Sequence, residues 1–209
     1  MSASRPPSGP KGEARAKLVA AAHLLVKRQG YAATSVDDIC RTAGVTKGAF
    51  FHHFPTKEAL AVAAAEGWTR RAEPMFSDPP HARIADPLDR LLGHIDFRAS
   101  LIGGAAEDYT CFVGTLVQEA HATSAPIRAA SAASIDAYAV RLAEDIAAAI
   151  AAYGTVVPVD ALDLAYHVQA VLQGGFVIAK AKGDPEAARA SVVHLKRYVA
   201  MLFGRGEER

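Results

Sequence analysis

TSVDDICRTAGVTKGAFFHHFPTKEAL, residues 34–60, is the stretch from which the fold can be read. Thr34 or Ser35 stands three residues ahead of Asp37 or Asp38, the spacing of a capping box that starts a helix. Gly44 ends that helix in a way only glycine does cheaply. Thr46 caps a second helix, which stops before Pro55. Two helices of two or three turns, joined by a glycine-containing turn, make a helix-turn-helix. Helices this short are marginal alone in water, so packing must hold them. Ile39, Ala43, Val45, Phe50 and Phe54 are the apolar positions available, and they would face a helix over 11–29.

On a wheel of about 100° per residue, Phe50 and Phe54 fall together and point inward. Lys47 and Phe51 flank that stripe on one side and His53 on the other, while Gly48, Ala49 and His52 point away. The outward face therefore has a small centre ringed by a lysine and histidines. That suits a helix laid into a DNA major groove, where small residues approach base edges and longer ones reach bases or phosphates. Lys57, in the first turn of the next helix, adds a cation to a helix N-terminus and reads as a phosphate clamp. His52 and His53 are adjacent, so from a regular helix they diverge and cannot share a metal. Metal pairs want i, i+4 spacing, and no cysteine or carboxylate accompanies these two. A structural role for one of them is the other alternative; DNA contact fits the face better.

The rest of the 209 residues supports an all-α fold of about nine helices. "GEARAKLVAAAHLLVKRQG" sets Ala14, Leu18, Ala21, Ala22 and Leu25 at helical spacing, and Gly30 stops it. A helix from Thr56 runs about five turns and links, over 57–78, to a Pro-rich joint, "SDPPHARIADP". Helices follow from Pro87, from about 109, and over "SAPIRAASAASIDAYAVRLAEDIAAAIAAYG", with two more over about 160–182 and 185–203. Residues 1–10 read as a disordered arm. The division expected is thus the arm, a DNA-binding domain over 11–57, and a larger domain over 79–209.

Composition narrows the function. Hydrophobic residues make up 51%, but no long apolar run is free of polar groups, so no membrane span is expected. The start has no apolar signal core, which predicts a cytoplasmic protein. The two cysteines, Cys40 and Cys111, form no CxxC and are expected to be neither zinc ligands nor a disulfide. Residues 1–57 hold 9 Lys/Arg against 3 Asp/Glu, whereas 58–209 hold 14 against 19. A basic head on an acidic body suggests that the head alone meets a polyanion. There is no GxSxG, GxGxxG, P-loop or supported Ser-His-Asp order, so no enzyme and no cofactor is implied.

The motif over residues 34–60, extended to roughly 13–66, resembles the TetR family of transcriptional regulators: the turn "AGVTKG", the run "FHHF" and "PTKEAL" fall in that family's order and spacing. The resemblance implies a three-helix DNA-binding head, an all-helical ligand domain, and a homodimer through the last two long helices, about 160–203. Carried over, the base-facing positions are Lys47, Gly48, Ala49 and His52, with Thr46 at the helix start. The phosphate-facing ones are Thr34, Arg41, Phe51, His53 and Lys57. Phe51 departs from the tyrosine usual there, which removes one phosphate hydrogen bond. Residues 109–119, "YTCFVGTLVQE", are also similar to one branch of that family.

The function expected is a repressor held on a palindromic double-stranded operator and released by a small apolar or aromatic effector. The alternatives are a redox- or electrophile-sensing repressor acting through Cys111, near a helix N-terminus, and a helical interaction module without DNA binding. Candidate pocket residues are Trp68, Met75, His94, Phe97, Arg98, Cys111, Phe112, Thr115, Tyr138, His167 and Phe176, each of which also has a plain core reading. His94 and Arg98, four apart on one helix, stand out because burying them demands partners. On the last two helices, Leu164, His167, Val168, Val171, Leu172, Gly175 and Phe176, then Val192, Leu195, Val199 and Leu202, form stripes that predict a partner copy.

Overall fold

The computed structural model describes residues 10–206, apart from the side chains at 10, 11 and 72. The arm expected over 1–10 falls almost wholly outside them. Every regular element among the described residues is helical: α1 (Pro10–Gln29), α2 (Val36–Ala43), α3 (Lys47–His53), α4 (Lys57–Ala72), α5 (Pro74–Ser77), a 3-10 turn (Pro80–Arg83), α6 (Pro87–Ser100), α7 (Ala106–Tyr109), α8 (Phe112–Ala120), α9 (Ala125–Tyr153), α10 (Ala161–Lys182) and α11 (Glu186–Leu202). The all-α expectation holds. The two helices beyond the expected nine, α5 and α7, are single turns. The helix expected over 57–78 ends at Ala72, because Pro74 has no N–H to continue it and its ring crowds the preceding turn.

The described chain forms two compact units. One takes in residues up to Trp68 together with Phe112–Ser134; the other takes in Thr69–Cys111 and Ile135 onward. α4 crosses the boundary after Trp68, and α9 crosses it after Ser134.

In the first unit, caps place the short helices. Ser35 accepts from the Asp38 N–H at 3.1 Å, and the Asp38 carboxylate accepts from the Ser35 N–H at 3.1 Å, so Ser35 and Asp38 are the working capping box. Gly44 closes α2 at φ +64°, Thr46 accepts from the Ala49 N–H at 3.1 Å, and Thr56 accepts from the Ala59 N–H at 3.0 Å. Leu18, Ala22, Val26, Ile39, Phe50, Phe54, Leu60, Ala64, Phe112 and Leu116 are buried in this unit. Phe50 and Phe54 are the anchors that the wheel predicts.

The second unit is built around a core running from Phe76, Leu88, Leu91 and Ile95 to Val168, Leu172, Phe176, Val192, Leu195 and Val199. α10 and α11 pack on each other, and α11 also packs on α6. Gly175 lets α10 and α11 touch closely: a Cβ there would lie 3.4 Å from the Ala188 Cα. The stripe expected to meet a partner copy is corrected in part. Leu164, Val168, Leu172, Gly175, Phe176, Val192, Leu195, Val199 and Leu202 are buried within the unit itself. The apolar side chains left exposed on these helices are others: Leu162, Tyr166, Val177 and Ile178 on α10, and Val193, Tyr198 and Met201 on α11. Among the described residues no helix is long and apolar enough to cross a membrane.

Candidate functional sites

The outer face of α3 combines small and long side chains without any internal need for the small ones. Lys47, Gly48, Phe51 and His52 are exposed, and Ala49 and His53 are half-buried. Among the described residues, a Cβ on Gly48 would find only the Thr46 hydroxyl, at 3.7 Å. Phe51 is 54% exposed, with its ring edge-on to Phe50 at 5.1 Å. The rings of His52 and His53 lie 5.0 Å apart. The basic side chains around this face are tethered by acids of α2: Lys47 Nζ lies 2.7 Å from Asp37, and Arg41 pairs with Asp38. The Asp37 carboxylate raises the Lys47 pKa, and the Ser35 hydrogen bonds lower that of Asp38. Both ion pairs are solvent-exposed on at least one side, so they hold weakly and a stronger anion can replace the carboxylates.

Two expected phosphate contacts are corrected. Thr34 is 1% exposed, and its hydroxyl donates to the Gly30 carbonyl at 2.6 Å. Lys57 Nζ donates to the carbonyls of Tyr31 and Thr34 at 3.0 and 2.9 Å and sits 4.2 Å from the Tyr31 ring centre. Burial lowers its pKa. The loop after α1 makes few backbone hydrogen bonds of its own, and its carbonyls need donors; Lys57 supplies them. Glu119 of α8 completes the clasp by accepting from the Ala32 N–H at 2.8 Å. Gly30 lies at φ +89°, and any side chain there would strike the Glu119 carboxylate. Sequence reasoning missed Glu119, because nothing local marks an acid 87 residues away as a loop partner.

The pocket candidates separate into groups. In the first unit, Trp68 and Phe112 pack 5.8 Å apart, both against His23, whose Nε2–H donates to the Ala64 carbonyl at 2.9 Å. Thr115 is half-buried on α8. In the second unit, His94 and Tyr138 come together with His81 and Arg98. His94 is fully buried, with Nδ1 3.1 Å from His81 Nε2 and Nε2 2.7 Å from the Tyr138 hydroxyl. Arg98 Nη1 donates to Met75 Sδ at 3.1 Å and approaches the Tyr138 hydroxyl at 3.4 Å. Phe76 stacks on His94 at 5.0 Å, and Phe97 packs on His81 at 5.4 Å. Burial, with Arg98 and His81 adding to it, holds His94 well below the usual histidine range, and burial also lowers His81 and raises Tyr138. Cys111 is half-buried just ahead of α8, near enough to act on Tyr138 electrostatically. His167 is exposed and pairs with Tyr198 at 5.2 Å, while Phe176 is core beside Tyr109. His81 and Phe76 were not legible: both lie in or beside the Pro-rich joint, where no periodicity marks an inward side.

Known proteins match both halves. A family model described as bacterial regulatory proteins, tetR family, matches residues 18–64, and one described as tetracyclin repressor-like, C-terminal domain, matches 87–195. The HTH-type transcriptional regulator EthR of Mycolicibacterium smegmatis is 33% identical over 79 residues, 37% of this chain and 36% of that protein. The uncharacterized HTH-type transcriptional regulator YxaF of Bacillus subtilis is 29% identical over 119 residues, 56% of this chain and 62% of that protein. The chain thus spans less than two thirds of the length of these curated relatives. A TetR transcriptional regulator of Chloroflexus aurantiacus superposes with a TM-score of 0.78 at 25% identity, covering 91% of this chain and 96% of that one. With the helix-turn-helix, the helical second unit and both family models in agreement, the chain belongs to the TetR family of bacterial regulatory proteins.

Proposed function

We propose that this chain is a ligand-responsive, DNA-binding transcriptional repressor, cytoplasmic and without catalytic activity, that acts as a homodimer on a palindromic operator. The observation that carries this reading is the outer face of α3. Gly48 sits inside a seven-residue helix, where glycine costs stability, and no neighbouring group among the described residues requires it. A bare backbone flanked by Lys47 and His52 makes sense where a partner surface comes close, and a DNA groove is such a surface. Residues 11–57 form the proposed DNA-binding domain, 57–78 the link, and 79–209 the ligand-binding and dimerisation domain. Base-facing roles go to Lys47, Gly48, Ala49 and His52. Phosphate-facing roles go to Arg41 and His53, with Phe51 packing against sugar.

The exposed Val177, Ile178, Val193 and Met201 support a partner helix pair from a second copy. Two heads in one dimer read half-sites spaced by whole helical turns. The effector, small and with an apolar or aromatic body, binds in the second unit and releases the operator by favouring one of two head arrangements. That requires a higher affinity for the released state.

Fluorescence anisotropy on DNA from the gene's own upstream region, at two salt concentrations, tests the reading. Tight binding that falls steeply with salt and is lost in Lys47→Ala and His52→Ala is the expected result. In Lys47→Ala the salt slope drops by about one. Salt-insensitive association, or variants that bind as the parent does, returns the chain to a helical interaction module.

A further inference from the structure

Arg98 is a half-buried cation of the second unit whose neighbours are a thioether and an aromatic ring. Its guanidinium donates to a thioether sulfur and makes one long contact to a tyrosine hydroxyl, and its Nε is buried without a partner. Among the described residues no carboxylate lies within ion-pair distance of it. Asp145, an acid that acts on His81, is occupied by Arg90 at 2.8 Å. A guanidinium presents five donors in a fork that fits a carboxylate, and a sulfur is a poor substitute. Withdrawing part of such a group from water without a counter-charge is unfavourable, and an apolar residue would be the more stable choice.

The histidine chain points to the same deficit. If Tyr138 donates to His94, the donation runs on to His81 and ends at His81 Nδ1, which is buried and has no partner. If it runs the other way, His81 donates to His94, His94 donates to the Tyr138 oxygen, and the tyrosine hydroxyl hydrogen is left beside Arg98 with nothing to accept it. Either direction leaves a donor in excess, and the fixed charges acting on His94, Arg98 and Arg141, are both cationic.

Resting on the regulator reading above, we infer that the effector is a small organic acid, whose carboxylate is held by Arg98 and the Tyr138 hydroxyl while His94 fixes the tyrosine. Phe76 and Met75 border the same groups and supply apolar surface for the rest of the molecule. Burial keeps the Tyr138 phenol protonated and so a donor.

The test is thermal unfolding of the full chain with benzoate and hexanoate, each against its amide at equal concentration and ionic strength. Binding to the folded state raises the midpoint with ligand concentration. At least one acid is expected to do so, with its amide about tenfold weaker or worse. Arg98→Met should abolish the acid response and raise the ligand-free midpoint, while Arg141→Gln, at the cluster's edge, keeps the response. Equal effects of acid and amide, no effect of either acid, or an acid response retained in Arg98→Met would each overturn the inference. Operator anisotropy run alongside separates the two readings. DNA binding without an acid response breaks this site alone, whereas an acid response without DNA binding breaks the regulator reading alone.

Discussion

In α2 and α3, polar groups find their partners within ten residues along the chain and complete them on the surface. Ser35 and Asp38 cap each other, Thr46 caps α3, and Lys47 rests on Asp37. Around His94 the partners come from 13 and 44 residues away, and two atoms of the cluster, His81 Nδ1 and Arg98 Nε, remain without any. The head leaves its surplus donors on a wet surface, where water satisfies them until a polyanion arrives. The cluster leaves its surplus in the interior, where water does not compensate and the unmet donor costs free energy. A surface site can be held ready at little cost, while a buried site held ready weakens the protein that carries it.

The sharpest way to break this contrast is to unfold the head. Phe50→Ala removes a fully buried ring that holds α2 and α3 together and should cost about 3–5 kcal/mol. Urea titration would show it, together with loss of DNA binding; a small cost would mean that the short helices stand by caps alone. Gly30→Ala should cost about 2 kcal/mol, because the residue sits at φ +89° and its new methyl meets Glu119. The same titration on Glu119→Ala/Gly30→Ala should recover the steric part of that loss and leave the backbone part.

The pH dependence separates the two regions. His94 and His81 have depressed pKa values in the folded chain, so unfolding takes up protons once the pH is below the ordinary histidine value of 6.5. Stability is kept above 6.5 and lost as the pH falls from there toward the folded values. Asp38 is also depressed, but from 3.8, so its contribution is present above 3.8 and fades only in stronger acid as the pH falls through its folded value. Melting temperatures from pH 8 to 5 should therefore fall below 6.5 in the parent and flatten in His94→Gln. A parent flat over that range would mean that the cluster is hydrated. The smallest effect is the most pointed one. Gly48→Ala should gain up to about 1 kcal/mol in stability while weakening operator binding. If both improve, the bare backbone of α3 has no partner to accommodate.

How much of this was legible depended on sequence separation. The capping residues, Gly44, and the inward turn of Phe50 and Phe54 follow from spacings of three and four, which a helix imposes on any chain. The roles of Thr34 and Lys57 did not follow. Both lie where a head meeting DNA would use them, but the loop after α1 has carbonyls to satisfy and takes them inward. The stripe on α10 and α11 was readable as apolar but not as belonging to one copy or two, since α6 and the neighbouring helix already cover most of it. The spacing of His94 and Arg98 says that both need partners; that His94 meets His81, and Arg98 a thioether and a tyrosine in place of a carboxylate, is not visible in it.

The sequence by itself determined the helices, their caps, the helix-turn-helix and the family, because these rest on local periodicity and on short motifs that act within one or two turns. Only the tertiary structure decided which polar side chains are spent inside and which remain unmet. That outcome depends on groups brought together from 13 to 87 residues apart, and no periodicity in the chain encodes such meetings.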